Sequence, residues 1–242
     1  MKQNKYDDER FFAKYSQMHR SVHGLAGAGE WPELQKLLPN FEGRRVLDLG
    51  CGYGWHCVYA ARQGAARVLG ADISQRMLGE AERRSEGLPV EYLCCAMEDL
   101  TLPEQSFDVV ISSLAFHYIE DYKGLVQRVY RWLAAGGRFV FSVEHPVFTA
   151  QGRQDWYYGP AGEILHFPVD NYYDEGKRSA VFLGEQVEKY HRTLTTYLNS
   201  LLEAGFSIKS IVEPQPPEDM MDIPGIKDEL RRPMMLLVAA EK

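Results

Sequence analysis

A glycine-rich turn and a later acidic residue are the features of this chain whose types and spacing could do chemistry. The turn carries Gly50, Gly52 and Gly54 directly after the apolar run 46–49, and Asp72 ends the next apolar run. Glycines at the junction of a strand and a helix let a ligand lie against bare backbone. An acid at the end of the following strand can accept hydrogen bonds from both hydroxyls of a ribose. Together these residues predict a ligand that contains a nucleoside.

The spacing of the glycines distinguishes between classes of nucleoside ligand. The dinucleotide fingerprint G-x-G-x-x-G fails, because the third glycine position after Gly50 and Gly52 is occupied by Trp55, which would obstruct close helix packing. The phosphate-binding pattern G-x-x-x-x-G-K-[ST] is absent as well. The D-x-G-C-G-x-G pattern that begins at Asp48 instead resembles motif I of the class I S-adenosylmethionine-dependent methyltransferases. The resemblance implies S-adenosyl-L-methionine as the cofactor.

The composition of the 242-residue chain is that of a soluble globular protein, with 45% apolar and 25% charged residues. Its formal net charge of −7 argues against a general affinity for nucleic acid or anionic membrane. The first residues are polar and acidic, unlike a signal peptide, and no apolar run is long enough to span a membrane. The four cysteines form no CxxC pair, so we expect reduced thiols in a cytoplasmic protein and no metal site.

Apolar runs of strand type alternate with helical patterns through the first two-thirds of the chain, and this alternation predicts right-handed βαβ units with a parallel sheet. Strands are expected near residues 45–50, 66–72, 90–95, 107–113, 137–144, 206–212 and 234–240. Ser74 is a suitable N-cap, and two helical stripes, 125–133 and 194–202, precede Gly136 and Gly205. The proline-rich loop between the last two strands lacks a helical pattern, so these strands should form an antiparallel hairpin.

The expected fold class is α/β, a doubly wound Rossmann-like sheet of seven strands. Five parallel strands followed by a hairpin resemble the sheet of the class I methyltransferases, which has the order 3-2-1-4-5-7-6 with an antiparallel last strand. We expect residues 1–242 to form a single domain. Its cofactor-binding core would span 41–145, and a C-terminal helix and hairpin would span 192–242.

Two regions lie outside this sheet. The N-terminal region, 1–40, is expected to be a lid across a pocket mouth, because four large side chains share one helical face. These are Phe11, Phe12, Tyr15 and Met18. The second region, 146–191, follows strand five and is rich in aromatic residues. Long unstructured loops are uncommon in compact domains unless they are functional, so we interpret it as a substrate cap. A subunit interface, as in a homodimer, is the alternative.

The informative segments all follow predicted strands. In open α/β sheets, ligands bind beyond the carboxyl ends of the strands, where the strand order reverses. The segments are 50–54, 72, 96–99, 113–117 and 144–146. Their convergence at one edge predicts a single site there.

The resemblance assigns roles residue by residue over roughly 40–145. Within the superfamily the chain is similar to the small-molecule branch that includes quinone-biosynthesis methyltransferases, with a type 11 methyltransferase domain. Gly50, Cys51 and Gly52 would run along the methionine part of the cofactor, and Asp48 would hold the amino end directly or through water. The further implied cofactor contacts are Met77, Leu114 and His117. Leu114 and His117 would lie near the methionine part, whereas the protein core is the alternative place for Met77.

The same resemblance places the adenosine part of the cofactor. Asp72 would accept from the ribose hydroxyls, with Ile73 against the adenine and the backbone of Met97 at the ring edge. Relatives often carry Asp where this chain has Ala96, to accept from the adenine amino group. Without that acceptor, Glu98 or water would substitute, or packing alone would hold the adenine.

Methyl transfer is an in-line displacement at a sulfonium and leaves a neutral thioether, so no acid is needed for the leaving group. Positioning supplies much of the rate, and an oxygen or nitrogen nucleophile can also need a base. The candidates are His117, His145 and His191, and we prefer His145 because it ends strand five beneath the cap. Glu144 could orient His145 or bind a substrate cation.

Three functions remain open from the sequence. The leading hypothesis is a cytoplasmic S-adenosylmethionine-dependent methyltransferase that acts on a small molecule. The absent basic surface and the absent N-P-P-[YFW] motif, replaced by Ser-Ser-Leu-Ala at 112–115, argue against nucleic acid as the acceptor. A nicotinamide-dependent oxidoreductase and a non-catalytic protein that binds S-adenosylmethionine are the alternatives.

Overall fold

Residues 3–242 are described by a computed structural model in which seven strands form a central sheet. The strands of this sheet are β1 (Arg45–Leu49), β2 (Arg67–Asp72), β3 (Val90–Cys94), β4 (Phe107–Ser113), β5 (Leu133–Glu144), β10 (Ser207–Val212) and β11 (Met235–Glu241). Their order is β10-β11-β5-β4-β1-β2-β3, and β11 alone runs antiparallel to its neighbours. This confirms the predicted order and the terminal hairpin.

Four helices of eight or more residues cover the two faces of the sheet, and a fifth belongs to the N-terminal region. The covering helices are α4 (Trp55–Arg62), α5 (Gln75–Arg84), α6 (Tyr122–Trp132) and α8 (Leu194–Ala204), and α1 (Glu9–Ser16) lies in the N-terminal region. Ser74 caps α5 as predicted, since its hydroxyl accepts from the Met77 N–H at 3.2 Å. Helix α8 ends at Gly205, whose φ of 103° satisfies the left-handed C-cap. Shorter helices are α2 (His19–His23), α3 (Trp31–Leu37), α7 (Pro146–Ala150) and α9 (Ile226–Glu229).

Side chains alternate between two cores because successive strand residues point to opposite faces of a sheet. Phe139 and Phe141 of β5 pack with α6 and α8, whereas Val140 packs with α3. On the same principle Val46 and Val68 face α4 and α5. Helices on both faces make the sheet doubly wound, as the alternation of runs predicts.

The structure differs from the sequence prediction at three places. Helix α6 ends at Trp132 and β5 begins at Leu133, so the strand starts earlier than 137–144. Helix α1 ends at Ser16, and Met18 begins the next helix instead of extending the face of the first. The loop between β10 and β11 contains α9, which its prolines did not suggest.

The region after β5 is folded rather than irregular. It contains α7 and two antiparallel hairpins, β6 (Tyr157–Tyr158) with β7 (Ile164–His166), and β8 (Gly176–Phe182) with β9 (Glu185–His191). The second hairpin packs on the N-terminal region, because Phe11 is buried against Ala180 and Val187. This contact joins the two regions that the sequence places outside the sheet.

The first described residues cross from α5 to β9. Asp7 accepts from the Ser74 hydroxyl at 2.6 Å and from the Arg76 N–H at 3.1 Å. At the other end, the Gln3 side chain accepts from the Glu188 N–H at 2.8 Å. Residues 3–8 therefore lie across the carboxyl edge of the sheet. Among residues 3–242, none of the helices is long and apolar enough to cross a membrane.

Two glycines with the same backbone conformation test how tightly the first turn is packed. We expect Gly54→Ala to cost about 3 kcal/mol or more and Gly43→Ala about 1 kcal/mol, measured as free energies of unfolding in urea. Both glycines have positive φ (72° and 69°), so alanine at either position would be strained by the left-handed backbone. A Cβ at Gly54 would lie 2.4 Å from the Tyr92 hydroxyl, whereas at Gly43 nothing lies within 4 Å. Equal losses would show that the turn can relax.

Candidate functional site

A cavity of about 500 Å³ lies at the carboxyl ends of the parallel strands. The loops after β1, β2, β3 and β4 form its floor, and the N-terminal region and the β8–β9 hairpin contribute the opposite side. Ten of the twelve predicted cofactor residues line this cavity. The ten are Gly50, Gly52, Asp72, Ile73, Met77, Ala96, Met97, Glu98, Leu114 and His117. The edge predicted from the strand order is therefore the edge where the cavity lies.

The turn after β1 is held by backbone hydrogen bonds to the end of β2. The N–H groups of Gly50 and Cys51 both donate to the Ala71 carbonyl, at 2.8 and 3.1 Å. Gly50 has a φ of 72°, and a Cβ there would lie 2.5 Å from the Cβ of Ala115. Glycine is therefore required at this position both by the left-handed backbone and by the close approach of the next loop.

Asp72 ties the same turn to the beginning of α5. Its Oδ2 accepts from the Gly52 N–H and its Oδ1 from the Ser74 N–H, each at 2.9 Å. The carboxylate also lines the cavity, and burial raises its pKa above the ordinary value. Each carboxylate oxygen has a second lone pair, so the group can accept further hydrogen bonds from a ligand. The ribose role of Asp72 stays a prediction.

The two remaining predicted residues lie beside the main cavity. Asp48 is fully buried beneath the turn, where its Oδ2 accepts from the Cys57 thiol at 3.3 Å. Its Oδ1 has no hydrogen-bond partner among the described residues, and burial raises its pKa to about 7. Cys51 lines a smaller adjoining cavity of about 70 Å³.

Arg20 connects the two cavities and was missed by the sequence analysis. It lines both, and its guanidinium donates to Glu30 Oε1 at 2.8 Å. The Ser21 hydroxyl and the Trp55 indole N–H line the smaller cavity, and neither finds a hydrogen-bond partner within residues 3–242. Glu30 Oε2 is also buried without a partner. No spacing in the sequence links residues 20–30 to the glycine turn, so only the fold reveals this group.

His117 lines the main cavity, but its hydrogen bonding does not suit a base. Its Nδ1 accepts from the Glu144 N–H at 3.5 Å. Burial lowers the pKa of His117 to about 4, so the imidazole is neutral near pH 7. With Nδ1 accepting, the proton of the neutral ring resides on Nε2. The ring can therefore donate a hydrogen bond but has no second acceptor nitrogen.

His145 lies outside the cavity, which corrects its selection as the preferred base. It is the N-cap of α7, where its Nδ1 accepts from the Val147 N–H at 3.1 Å. Its Nε2 lies 2.9 Å from Glu213 Oε1, in the loop that follows β10. His191 is likewise structural, since its two nitrogens bond to Thr149 Oγ1 and the Tyr172 carbonyl, each at 2.8 Å. Neither ring is among the residues that line the cavity.

Glu144 does line the cavity, and the insertion holds it there. Its two oxygens accept from Lys189 at 2.6 Å and from Gln154 at 2.7 Å. Lys189 is 3% exposed, so this is a buried ion pair whose members satisfy each other. Burial alone would raise the pKa of Glu144, but the Lys189 ammonium and the hydrogen bonds from Lys189 and Gln154 keep it below its ordinary value. The Glu144 oxygens therefore bond to Lys189 and Gln154 rather than to the His145 ring.

The aromatic residues of the insertion divide into two groups. Phe182 and Tyr190, from the β8–β9 hairpin, line the cavity. Trp156 and Phe167 instead enclose the Arg232 guanidinium, with ring centroids 5.1 and 4.7 Å away. Only the second hairpin therefore contributes to the candidate site. Within residues 3–242, no three His, Cys, Asp or Glu side chains converge as metal ligands.

Comparisons with known proteins place this geometry in a family. A family model described as a methyltransferase domain matches residues 47–141. The S-adenosylmethionine-dependent methyltransferase of Mesorhizobium loti is 42% identical, with a TM-score of 0.83 over 90% of this chain and 100% of that one. The chain belongs to the class I S-adenosylmethionine-dependent methyltransferases. It is therefore an enzyme of that family with S-adenosylmethionine as its cofactor, and the nicotinamide alternative is wrong.

Two further relatives extend over nearly the whole methyltransferase. A Listeria monocytogenes protein described as an S-adenosylmethionine-dependent methyltransferase is 54% identical, with a TM-score of 0.86 over 90% of this chain and 99% of that one. An uncharacterized protein of Haemophilus influenzae is 34% identical over 98% of this chain and 96% of its own. The similarity therefore includes the N-terminal region and the insertion as well as the core.

Other relatives match little more than half of this chain. The phosphoethanolamine N-methyltransferase 1 of Arabidopsis thaliana is 33% identical over 55% of this chain and 27% of that protein. The tRNA U34 carboxymethyltransferase of Alcanivorax borkumensis is 32% identical over 53% of this chain and 42% of that protein. Because these names differ in the acceptor, family membership does not identify the acceptor of this methyltransferase.

The buried carboxyl of Asp48 should give a characteristic dependence on pH. Its pKa is about 7 in the folded protein against an ordinary value of 3.8, so the folded state binds more protons between these values. Wild-type stability is therefore lost as the pH rises through this range. The free energy of unfolding of Asp48→Asn, taken relative to that of the wild type, should therefore rise by on the order of 1.4 kcal/mol per pH unit between pH 4 and 7. Urea titrations at pH 5 and pH 8 measure this difference, and an identical difference at both would contradict a neutral buried carboxyl.

Proposed function

We propose that this methyltransferase transfers the methyl group to a small organic molecule inside the main cavity. The observation that carries the proposal is the cover formed by residues 3–20 and the β8–β9 hairpin opposite the glycine turn. The volume of about 500 Å³ falls in the usual range for small-ligand pockets. A polymer such as tRNA would need that cover to open, whereas a small acceptor fits beside the cofactor.

The lining residues support one orientation of the cofactor. Asp72 would accept from the ribose hydroxyls, and Ile73 with Met97 would contact the adenine. The turn at Gly50 and Gly52 would follow the methionine part towards the smaller cavity. Because Ala96 offers no side-chain acceptor, Glu98, which also lines the cavity, is the available acceptor for the adenine amino group.

The smaller cavity suits the charged amino-acid end of the cofactor. Donors converge there from the Arg20 guanidinium, the Ser21 hydroxyl and the Trp55 indole, which together would hold a carboxylate. The Ser21 hydroxyl and the Trp55 indole N–H are buried without hydrogen-bond partners among residues 3–242. A ligand carboxylate would therefore satisfy buried donors that otherwise carry a desolvation cost.

When bound, the cofactor supplies an activated methyl group on a sulfonium. The protein's part is to position an acceptor in line with that group and to exclude water. His117 would donate a hydrogen bond from Nε2 to the acceptor or cofactor, and Glu144 would place a negative charge at the cavity wall. Neither residue needs to protonate a leaving group, because the leaving thioether is neutral.

Two variants and two ligands test this orientation. Arg20→Met should weaken S-adenosylhomocysteine binding about tenfold or more, while leaving 5′-methylthioadenosine, which lacks the amino-acid end, nearly unchanged. Asp72→Ala should weaken both ligands by a similar factor, because both contain the ribose. Isothermal titration calorimetry gives the four affinity ratios. If Arg20→Met weakens both ligands equally, Arg20 does not hold the amino-acid end.

The proposed acceptor class has a direct test. S-adenosylhomocysteine, but not NAD or NADP, should raise the melting temperature, since a ligand at a hundredfold over its Kd adds about 2.7 kcal/mol of stability. A cell extract is divided into a small-molecule fraction and a tRNA fraction, and each is incubated with the protein and methyl-labelled cofactor. Label should be transferred to the small-molecule fraction. Label transferred to tRNA would overturn the small-molecule proposal but not the cofactor.

A further inference from the structure

Among residues 3–242, no histidine with a free acceptor nitrogen lines the acceptor half of the cavity. His145 and His191 lie outside it, and the acceptor nitrogen of His117 is already bonded to the Glu144 N–H. Burial raises the pKa of Tyr6 and of Tyr118 above the ordinary value for a phenol, so neither yields a phenolate near pH 7. Hydroxyl acceptors usually require a base in the transition state. A neutral amine does not, because its nitrogen lone pair is nucleophilic without loss of a proton.

Three tyrosines line this side of the cavity, and the ring of Tyr6 is perpendicular to the rings of the other two. Tyr6 meets Tyr15 with ring centroids 5.2 Å apart at 90°, and meets Tyr118 at 6.5 Å and 88°. The hydroxyls of Tyr6 and Tyr118 lie 3.4 Å apart. Aromatic faces arranged around one space attract cations through the negative face of each ring.

The charged residues along the cavity also favour a cationic acceptor over an acidic one. Besides the cofactor-side acids, Glu120, Glu144 and Glu188 line it. Glu144 is paired with Lys189 and Glu188 with Lys177, whereas Glu120 has no ion-pair partner among residues 3–242. The cations that line the cavity are Lys5 and Arg20, and Arg20 is bonded to Glu30. An acidic acceptor such as a carboxylate or phosphate would face this surplus of negative charge, whereas a cation would be attracted.

We propose that the acceptor is a small amine, received between Tyr6, Tyr15, Tyr118 and Glu144, and this inference rests on the proposed function. The nitrogen lone pair of the neutral amine forms the new bond to the methyl carbon. The carbon–sulfur bond breaks with its electron pair remaining on sulfur. The nitrogen becomes a methylated ammonium, which the rings and Glu144 stabilise and which then loses its proton to water. An amine that enters as its ammonium first gives one proton to water, because a protonated nitrogen has no lone pair with which to attack.

An isosteric pair of ligands tests the cation preference by itself. Choline and 3,3-dimethyl-1-butanol have the same shape and differ in the charge of the quaternary centre. Each is titrated into the protein saturated with S-adenosylhomocysteine, which carries no sulfonium and therefore no competing charge. Choline should bind about 5- to 30-fold more tightly, the range expected for cation–π attraction. Equal affinity, or no binding of either, counts against the inference.

Turnover of a matched panel distinguishes this inference from the proposed function. Benzylamine, benzyl alcohol and benzoate share one ring and differ in the nucleophile, and mass spectrometry detects S-adenosylhomocysteine and methylated product. Methylation of benzylamine is the expected result. Binding of S-adenosylhomocysteine together with methylation of the alcohol or the acid, and not the amine, overturns the amine inference and keeps the proposed function. If S-adenosylhomocysteine does not bind, the proposed function itself is contradicted, and the amine inference that rests on it is contradicted with it.

A pair of variants at one position tests the role of the rings. Tyr6→Leu removes a wall of the tyrosine group and should abolish most of the preference of choline over its neutral isostere. Tyr6→Phe retains the ring and should retain the preference. The melting temperature with S-adenosylhomocysteine shows whether each variant is folded. If the preference is unchanged in a folded Tyr6→Leu protein, the tyrosine walls do not select the acceptor.

Discussion

The hydrogen bonds between the first turn and the end of β2 are the constraint on which the site depends. Gly50 and Cys51 donate to the Ala71 carbonyl, and Gly52 donates to the Asp72 carboxylate. Because both strands are parallel neighbours in the middle of the sheet, the turn is fixed relative to the rigid core rather than to a mobile loop. Every other part of the cavity is positioned against this turn, from the Ala115 loop that approaches it to the N-terminal residues that cover it.

Buried charge distinguishes the two ends of the site. Beside the smaller cavity, Glu30 and Asp48 each keep one buried oxygen without a hydrogen-bond partner among residues 3–242. At the wall of the main cavity, both oxygens of Glu144 are bonded, one to Lys189 and one to Gln154, and its pKa stays below the ordinary value. The orientation that we propose puts the amino-acid end of the cofactor near the first group and the acceptor near the second.

The cofactor half and the acceptor half come from different parts of the chain. The matched methyltransferase domain spans 47–141 and contains the glycine turn, Asp72 and the loops around the predicted adenine position. The tyrosine walls and the partner of Glu144 come largely from residues 3–20 and from the β8–β9 hairpin, which lie outside that span. Membership of the family therefore identifies the cofactor, whereas the relatives named for different acceptors match only 55% and 53% of this chain.

The sequence by itself determined the alternation of strands and helices, the glycine turn and the position of Asp72, because these are local signals, whereas the strand order was implied by the resemblance to the class I methyltransferases. Only the tertiary structure decided which distant side chains meet. Tyr6 and Tyr118 are 112 positions apart, and no periodic pattern records their contact or the approach of Arg20 to the turn. The direction in which a side chain points could not be predicted from the sequence either. His145 follows strand five as predicted, yet its ring is turned away from the cavity because it caps α7 and faces Glu213.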